Sequence, residues 1–407
     1  MAKENIIIIG GGAAGFFSAI HLAFARPKAN ITILERGKAV LEKVRVSGGG
    51  RCNVTHACWD PRELVKFYPR GSRELLGPFN RFACGDTMGW FEDRGVELKI
   101  EDDGRVFPVT DNSSTIIDCL WGTAKRKGVK VITRCRVDGV TYKSDGPFGS
   151  WLVTANGEKL VADRAVVTTG SNPRVWDWLG KLGLTTISPV PSLFAFNIPD
   201  KRLHALSGIS LPWSQVSIEG EPLKAEGPLL ITHKGLSGPA ILRLSAWGAR
   251  QLAPKKYHFT LRINWLARRE QDVLADLIAT SKSIPRQRVG SRGQFDLPQR
   301  LWRYLITKAG VTPEMQWAQI SKKQVQAIAE SLVNCSYQVN GKATNKEEFV
   351  TAGGVDLKEV DFKTFSAKQY PTLHLAGEVL DIDAITGGFN FQAAWTGGYL
   401  IGLGAEE

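Results

Sequence analysis

The run Asn5–Ile9 is β-branched and leads without a break into Gly10-Gly11-Gly12-Ala13-Ala14-Gly15. This is a G-x-G-x-x-G loop behind a buried strand. A helical pattern follows from about Ala14 to Ala25. A second strand, Ile31–Leu34, ends at Glu35. Each part answers a physical need. Gly10 permits the tight turn, Gly12 lets backbone approach a pyrophosphate, and Gly15 lets the helix pack close to the strand. The helix N-terminus offers free N–H groups and a positive dipole end. Glu35 follows Gly15 at the distance where an acid accepts hydrogen bonds from the adenosine ribose, and its charge disfavours a 2′-phosphate. The loop predicts dinucleotide binding and leaves FAD and NAD both open.

The chain is long enough for two or three domains of roughly 100–200 residues. Its hydrophobic fraction of 43% and charged fraction of 23% fit a globular protein. Net charge is +12. It is unevenly spread: Arg250 to Val350 holds 17 Lys and Arg against 8 Asp and Glu, a net of +9. Such an excess suits nucleic acid, an acidic surface, or an anionic cofactor or substrate. Six scattered cysteines form no C-x-x-C pair and no zinc-ligand spacing, so no metal site is expected and the thiols read as reduced and cytoplasmic. Ile6–Ile9 with Ala23-Phe24-Ala25 imitates a signal peptide, but the glycines between them break the apolar helix it would need. No stretch has the ~18 uninterrupted apolar residues of a membrane span.

Three further segments carry a resemblance. They are Ser47-Gly48-Gly49-Gly50-Arg51-Cys52-Asn53-Val54-Thr55, Thr232-His233-Lys234-Gly235-Leu236-Ser237-Gly238-Pro239, and Ala376-Gly377-Glu378-Val379-Leu380-Asp381 continuing through Thr386-Gly387-Gly388-Phe389-Asn390-Phe391-Gln392. With the N-terminal loop, they resemble the HI0933-like flavoproteins, NAD(P)/FAD-dependent oxidoreductases that include bile-acid-reductase-like and aminoacetone-oxidase-like members. The resemblance spans nearly the whole chain. It implies an α/β fold: a Rossmann-type FAD-binding domain of the glutathione-reductase-like kind, with an inserted β-barrel-like plus helical domain. It implies FAD, held at the pyrophosphate by Gly10, Gly12, Ala13, Ala14 and Gly15, and at the adenosine by Glu35 and Arg36. Ser47, Gly48, Gly49, Gly50, Arg51, Cys52 and Asn53 would line the pyrophosphate and ribityl chain, and Val137 would meet the adenine through its backbone. Thr168-Thr169-Gly170 looks like the second flavoprotein fingerprint, with Thr168 for Ala. Gly377-Glu378 looks like the third, with Lys43 and Asp381 in the same set. Gly388, Phe389, Asn390 and Gln392 would open the last helix towards the flavin, where helix-end N–H groups stabilise the reduced form.

The flavin motifs occupy 1–190 and 350–407, so 191–349 is read as an insert, β-rich over about 191–263 and helical over about 264–349. Strands are expected at Leu211–Ile218 and Tyr257–Ile263, and helices at 265–280, 322–334 and Ala240–Ala249, the last N-capped by Ser237 with Pro239 in its first turn. No second G-x-G-x-x-G and no redox C-x-x-x-x-C is present, which disfavours a disulfide reductase. NAD(P)H can reduce a flavin by transient binding over its face, without a dedicated site.

His233, as an acid or base near the flavin, and Asn390 are the candidate catalytic residues. For His233 the plain alternative is a turn residue, for Cys52 a small residue that fits, and for Arg51 a structural salt bridge. Arg286, Arg288, Arg292, Arg300 and Arg303 lie among Phe295, Trp302 and Tyr304. The pattern suits an RNA-binding surface or a solvated helical face over buried rings. The leading expectation is hydride transfer between flavin N5 and a small molecule, with NAD(P)H driving reduction of an activated C=C bond. Oxidation of an amine by O2 is the alternative within that class, and an RNA-associated, tRNA-modifying flavoprotein is the alternative outside it. The sequence is silent on oligomeric state.

Overall fold

The computed structural model describes residues 3–144, 149–343 and 350–404. It divides into two compact units, 1–190 with 350–407, and 191–349.

In the first unit, β1 (Asn5–Ile9) is central. It runs parallel to β2 (Asn30–Leu34) on one side and to β4 (Arg164–Val167) on the other. β3 (Lys130–Ile132) extends the sheet beyond β2, and β5 (Tyr370–Leu375) extends it beyond β4. The order 3-2-1-4-5 is that of a Rossmann sheet. Two short antiparallel strands, Ser366–Ala367 and Val360–Asp361, close the far edge. Ile6 to Ile9 are buried on both faces, which is why the strand is a continuous isoleucine run. Helix α1 (Ala13–Ala25) crosses from β1 to β2, and the last helix, α2 (Phe389–Leu403), packs along it. Gly398 and Gly402 lie on one face of α2. A Cβ there would come within 2.9 Å of Phe17 and 2.4 Å of His21, so only glycine allows this approach.

β5 buries His374, whose ring is set by its neighbours. Nδ1 lies 3.2 Å from the Thr364 carbonyl, which can only accept, so Nδ1 carries the proton and Nε2 faces Arg164 at 3.4 Å. Burial and the Arg164 charge push its pKa down from 6.5 to about 4. His21, packed among aromatic rings beside Arg94, is pushed down to about 3. Unfolded, both histidines bind a proton near pH 6.5; folded, they refuse it. Their stabilisation is therefore complete above pH 6.5 and is lost as pH falls through the folded values. Stability against urea should fall with falling pH below 6.5, by up to about 1.4 kcal/mol per unit for each histidine. His374→Gln should flatten that slope, and an unchanged slope would count against this assignment.

In the second unit, seven antiparallel strands run in the order Cys335–Asn340, His258–Asn264, Ser210–Ile218, Lys224–Thr232, Gly235–Ser237, Ala195–Asn197 and Lys342–Ala343. The two edge strands are successive in the chain and only Gly341 separates them. The sheet must therefore curl until its edges nearly meet, which makes it barrel-like. Helices Pro239–Trp247, Glu270–Ser283, Gln299–Lys308 and Lys322–Val333 share its core with residues such as Phe196, Leu229, Leu261 and Trp302.

Three sequence expectations are corrected here. The helix expected from 265 starts at Glu270. Asn264 is the cause: its Oδ1 accepts the Leu266 and Arg268 N–H groups, and Ala267 takes a positive φ of 52°, which holds a turn where the helix would begin. Ser237 does not cap its helix. It ends a strand, and Gly238 at φ 95° is the cap, with Pro239 in the first turn as expected. The segment expected to be helical to its end instead returns to the sheet at Cys335–Asn340 and Lys342–Ala343; its last residues, 344–349, lie outside the described ones. The alternation of buried Cys335, Tyr337 and Val339 was the signal for that strand.

Candidate cofactor site

The phosphate loop is held from three sides. Gly10 N–H donates to Leu34 O at 2.9 Å, and Thr168 donates its N–H to Ile9 O at 2.8 Å and its hydroxyl to Gly10 O at 2.9 Å. Thr168 thus adds a clamp that alanine would lack. A Cβ on Gly15 would sit 2.0 Å from Gly10 O, so strand and helix meet there with no room for a side chain. A Cβ on Gly12 would meet nothing within 4 Å: this face of the loop is open. The N-terminus of α1 beside it has no side-chain cap and no acid in its first turn, so the N–H groups of Ala13, Ala14 and Gly15 point outward without an intrahelical acceptor.

Glu35 braces the same loop. Its two oxygens accept Gly11 N–H at 2.9 Å and Gly37 N–H at 2.6 Å, and each oxygen keeps further lone-pair capacity. Arg36 is exposed. Cys135 N–H donates to Glu35 O at 2.8 Å, which brings the strand beginning at Val137 alongside the end of β2.

The Ser47–Gly50 turn is tight. Gly48, Gly49 and Gly50 have φ of 58°, 69° and 86°, and Cys52 shares the left-handed region at 63°. Cys52 N–H closes the turn on Ser47 O at 3.0 Å, and the Ser47 hydroxyl donates to Val44 O at 3.0 Å. Gly49 and Gly50, like Gly12, present backbone to open space. Arg51 turns away from the loop. It pairs with Glu101 at 2.6 Å and Asp111 at 3.4 Å and lies over the Phe107 ring, so its side chain steadies the loop and is not offered to a phosphate. Cys52 is buried and burial pushes its thiol up to about 12. We expect iodoacetamide at mildly alkaline pH to leave it unmodified until urea unfolds the protein, as read by peptide mass mapping; labelling of the folded protein would restore a reactive role.

The C-terminal segments come to the same place. Ala376 N–H donates to Val167 O, and Gly377 sits against Ala14. Glu378 is paired with Lys43 at 2.5 Å, near Gly170, while Thr169 is half-buried beside it. Asp381 is buried and its N–H donates to Val355 O. The Asn53 amide, oriented to satisfy its neighbours, donates to Thr55 O and Val106 O and accepts Gly388 N–H at 3.0 Å. It therefore ties the glycine turn at 48–50 to the N-terminus of α2.

Three residues expected to meet the flavin are otherwise engaged. The Asn390 amide engages Ala384, accepting its N–H at 3.0 Å and donating one N–H to its carbonyl at 3.2 Å, so it braces a loop. Gln392 is buried, with its oxygen shared by the Thr55 and Thr87 hydroxyls and its nitrogen on Thr396. Phe389 is buried between Phe67 and His56, with ring centroids at 4.3 and 4.5 Å. His233 is exposed at a hairpin tip, with no hydrogen-bond or ion-pair partner among the described residues to orient its ring.

Sequence reasoning missed His56, whose Nδ1 lies 3.1 Å from Gly387 O, and the buried Arg70–Asp383 pair, in which two guanidinium nitrogens bond two carboxylate oxygens. His56 closes the Ser47–Thr55 segment and could have been found by extending it. Nothing in the sequence joins residues as distant as Arg70 and Asp383.

The chain matches the HI0933-like protein Rossmann domain from residue 4 to residue 404. It belongs to the HI0933-like family. This HI0933-like protein is an FAD-dependent oxidoreductase. Ribosomal RNA dihydrouridine synthase of Haemophilus influenzae is 29% identical to it over 98% of each chain. The protein of that name from Escherichia coli is 28% identical over 97% of this chain and 96% of its own. The 3-dehydro-bile acid delta(4,6)-reductase of Clostridium scindens is 25% identical over 99% of each. The solved 3-ketosteroid-delta4-(5alpha)-dehydrogenase of Rhodococcus jostii has a TM-score of 0.51 at 13% identity, covering 100% of this chain and 98% of that one, and so shares the fold.

The residues present fit FAD. Two uncapped helix N-termini, the open backbone at Gly12, Gly49 and Gly50, and the carboxylates of Glu35 and Glu378 supply the anion sites and hydroxyl acceptors that a dinucleotide requires. No helix among the described residues is long and apolar enough to cross a membrane. Residues 191–349 hold 22 Lys and Arg against 12 Asp and Glu, a net of +10 out of the chain's +12.

Proposed function

We propose that this HI0933-like protein uses NAD(P)H to reduce the carbonyl-conjugated C=C bond of a uracil ring in ribosomal RNA, in the cytoplasm. One observation carries the reading: full-length likeness to two proteins named for making dihydrouridine in ribosomal RNA. The name of the bile-acid relative describes the same kind of reaction, saturation of a C=C bond in a 3-oxo compound. The basic second unit suits a polyanionic substrate better than a neutral small molecule.

FAD, when bound, supplies the two-electron chemistry. The chain holds and tunes it. Gly10, Gly12, Ala13, Ala14 and Gly15 receive the pyrophosphate, Glu35 and Arg36 face the adenosine, and Val137 offers its backbone to the adenine. Ser47, Gly48, Gly49 and Gly50 line the ribityl chain, with Arg51, Cys52 and Asn53 fixing their turn. Thr168 anchors the phosphate loop, Thr169 and Gly170 border it, and Glu378, oriented by Lys43 and followed by buried Asp381, takes ribityl hydroxyls next to Gly377. Gly388 sets the N-terminus of α2, whose N–H groups favour negative charge on the ligand and raise its potential. Phe389, Asn390 and Gln392 keep that terminus in place.

The test is anaerobic. NADH or NADPH should bleach the visible flavin band, and added ribosomal RNA carrying unmodified uridines should restore the band while one uridine gains two hydrogens, read by nucleoside mass spectrometry. Bleaching with no modified uridine would overturn the substrate. No bleaching by either nucleotide would overturn the donor.

A further inference from the structure

The second unit presents a short row of arginines on an unusually well-fixed loop. Residues 285–289 lie beside 313–318 in two successive turns, closed by Gln287 N–H on Ile284 O and Ser291 N–H on Arg288 O, with Arg288 bridged to Gln316. Val289 N–H donates to Met315 O, Trp317 N–H to Gln287 O, and Ala318 N–H to Pro285 O. Val289 is buried and Gln287 is turned back onto Ser291, while Arg286 and Arg288 are exposed. The loop then turns at Gly290, whose N–H donates to Pro313 O, and is pinned by Trp302 Nε1 on Val289 O and by Gln299 Nε2 on Ser291 O. Exposed Arg292 follows this turn. None of these three arginines has a carboxylate partner among the described residues, whereas neighbouring Arg303 is paired with Glu314 and Arg268 with Asp276.

The aromatic rings nearby do not belong to this surface. Trp302 and Tyr304 are buried, and Phe295 is half-buried under Arg268. The row therefore has charge and planar donors without stacking platforms, which is the chemistry for a phosphate backbone and not for splayed bases.

We infer that Arg286, Arg288 and Arg292 form a docking edge for the RNA phosphate backbone. This rests on the RNA reading above and adds where the RNA is gripped and how: by backbone phosphates, with little regard to sequence. The edge is distinct from the cofactor loops, so its loss should weaken RNA binding and leave reduction of the bound flavin by NAD(P)H unchanged.

The experiment compares the FAD-loaded wild type with R286Q/R288Q/R292Q, using fluorescence anisotropy of a labelled RNA hairpin with a uridine-containing loop across a salt series. A second variant, K224Q/K234Q, removes two exposed lysines elsewhere on the same unit. Losing three phosphate contacts should raise Kd by about tenfold or more and reduce the slope of log K against log salt by about 2 to 3. The lysine variant should stay close to wild type, and all three proteins should keep the same flavin content and bleach at the same rate with NAD(P)H. If wild type binds RNA and the arginine variant binds with equal affinity and slope, the docking edge is overturned while the RNA substrate stands. If the lysine variant loses as much as the arginine variant, diffuse charge is responsible and the edge is likewise overturned. If wild type shows no salt-dependent RNA binding at all, the RNA reading itself fails.

Discussion

Gly12→Ala should give a protein that folds like wild type and holds FAD at least about tenfold more weakly, a loss of about 1.4 kcal/mol or more. The same change at Gly15 should damage the protein before any cofactor is added. The difference lies in where each Cβ goes. At Gly12, φ is −90° and a Cβ meets no protein atom within 4 Å, so it occupies only the space a pyrophosphate needs. At Gly15 a Cβ would lie 2.0 Å from Gly10 O and 2.8 Å from the Thr168 hydroxyl, the two groups that lock β1, β4 and the loop together. Relieving that overlap should cost about 1–3 kcal/mol of apoprotein stability. Urea unfolding of the flavin-free proteins and FAD titration by fluorescence quenching measure the two effects separately. Equal apoprotein stability for the two variants would refute the packing argument, and undiminished FAD affinity in Gly12→Ala would remove the loop from the cofactor site.

Breaking the buried Arg70–Asp383 pair should be the most destabilising polar change in the first unit. The side chains are 9% and 0% exposed, so removing one takes a counter-charge from a group with little access to water. Arg70→Leu or Asp383→Leu should each cost about 3–5 kcal/mol, while the double variant should cost less than either single one, because it leaves no buried charge behind. Strict additivity in urea unfolding would show that the two side chains do not act as a pair. The pair also bears on the site. Asp383 precedes Ala384, the residue that Asn390 grips, on the loop leading to Gly387 and Gly388. Loosening this loop should speed FAD release, and stopped-flow dilution of the holoproteins would reveal it.

The local parts of the cofactor site were legible because each is a short stretch with its own chemistry. Isoleucines buried on both faces, glycines where backbone must come close, and an acid one strand later identify β1, α1 and β2 without reference to anything distant. The same holds for the strand Ser210–Ile218 and the helix Lys322–Val333, whose periodicities are strong. Reading failed where a side chain competes with the backbone for its hydrogen bonds. Asn264 holds a turn ahead of the helix at Glu270, and Gly238 displaces Ser237 as a cap, and neither is visible in hydrophobic pattern. It failed also for the strand at Cys335–Asn340, where the pattern was present and was overlooked.

The amino-acid sequence by itself determined the Rossmann core, the dinucleotide loop and the family, since these depend on residues within one turn or strand of each other. Only the tertiary structure decided what the remaining candidates do. Arg51, Phe389, Asn390 and Gln392 are the right types for flavin contact, but their side chains are taken up by Glu101 and Asp111, Phe67 and His56, Ala384, and Thr55, Thr87 and Thr396. A buried polar group must find a partner, and the nearest one is set by how distant segments pack, not by the neighbours it has along the chain.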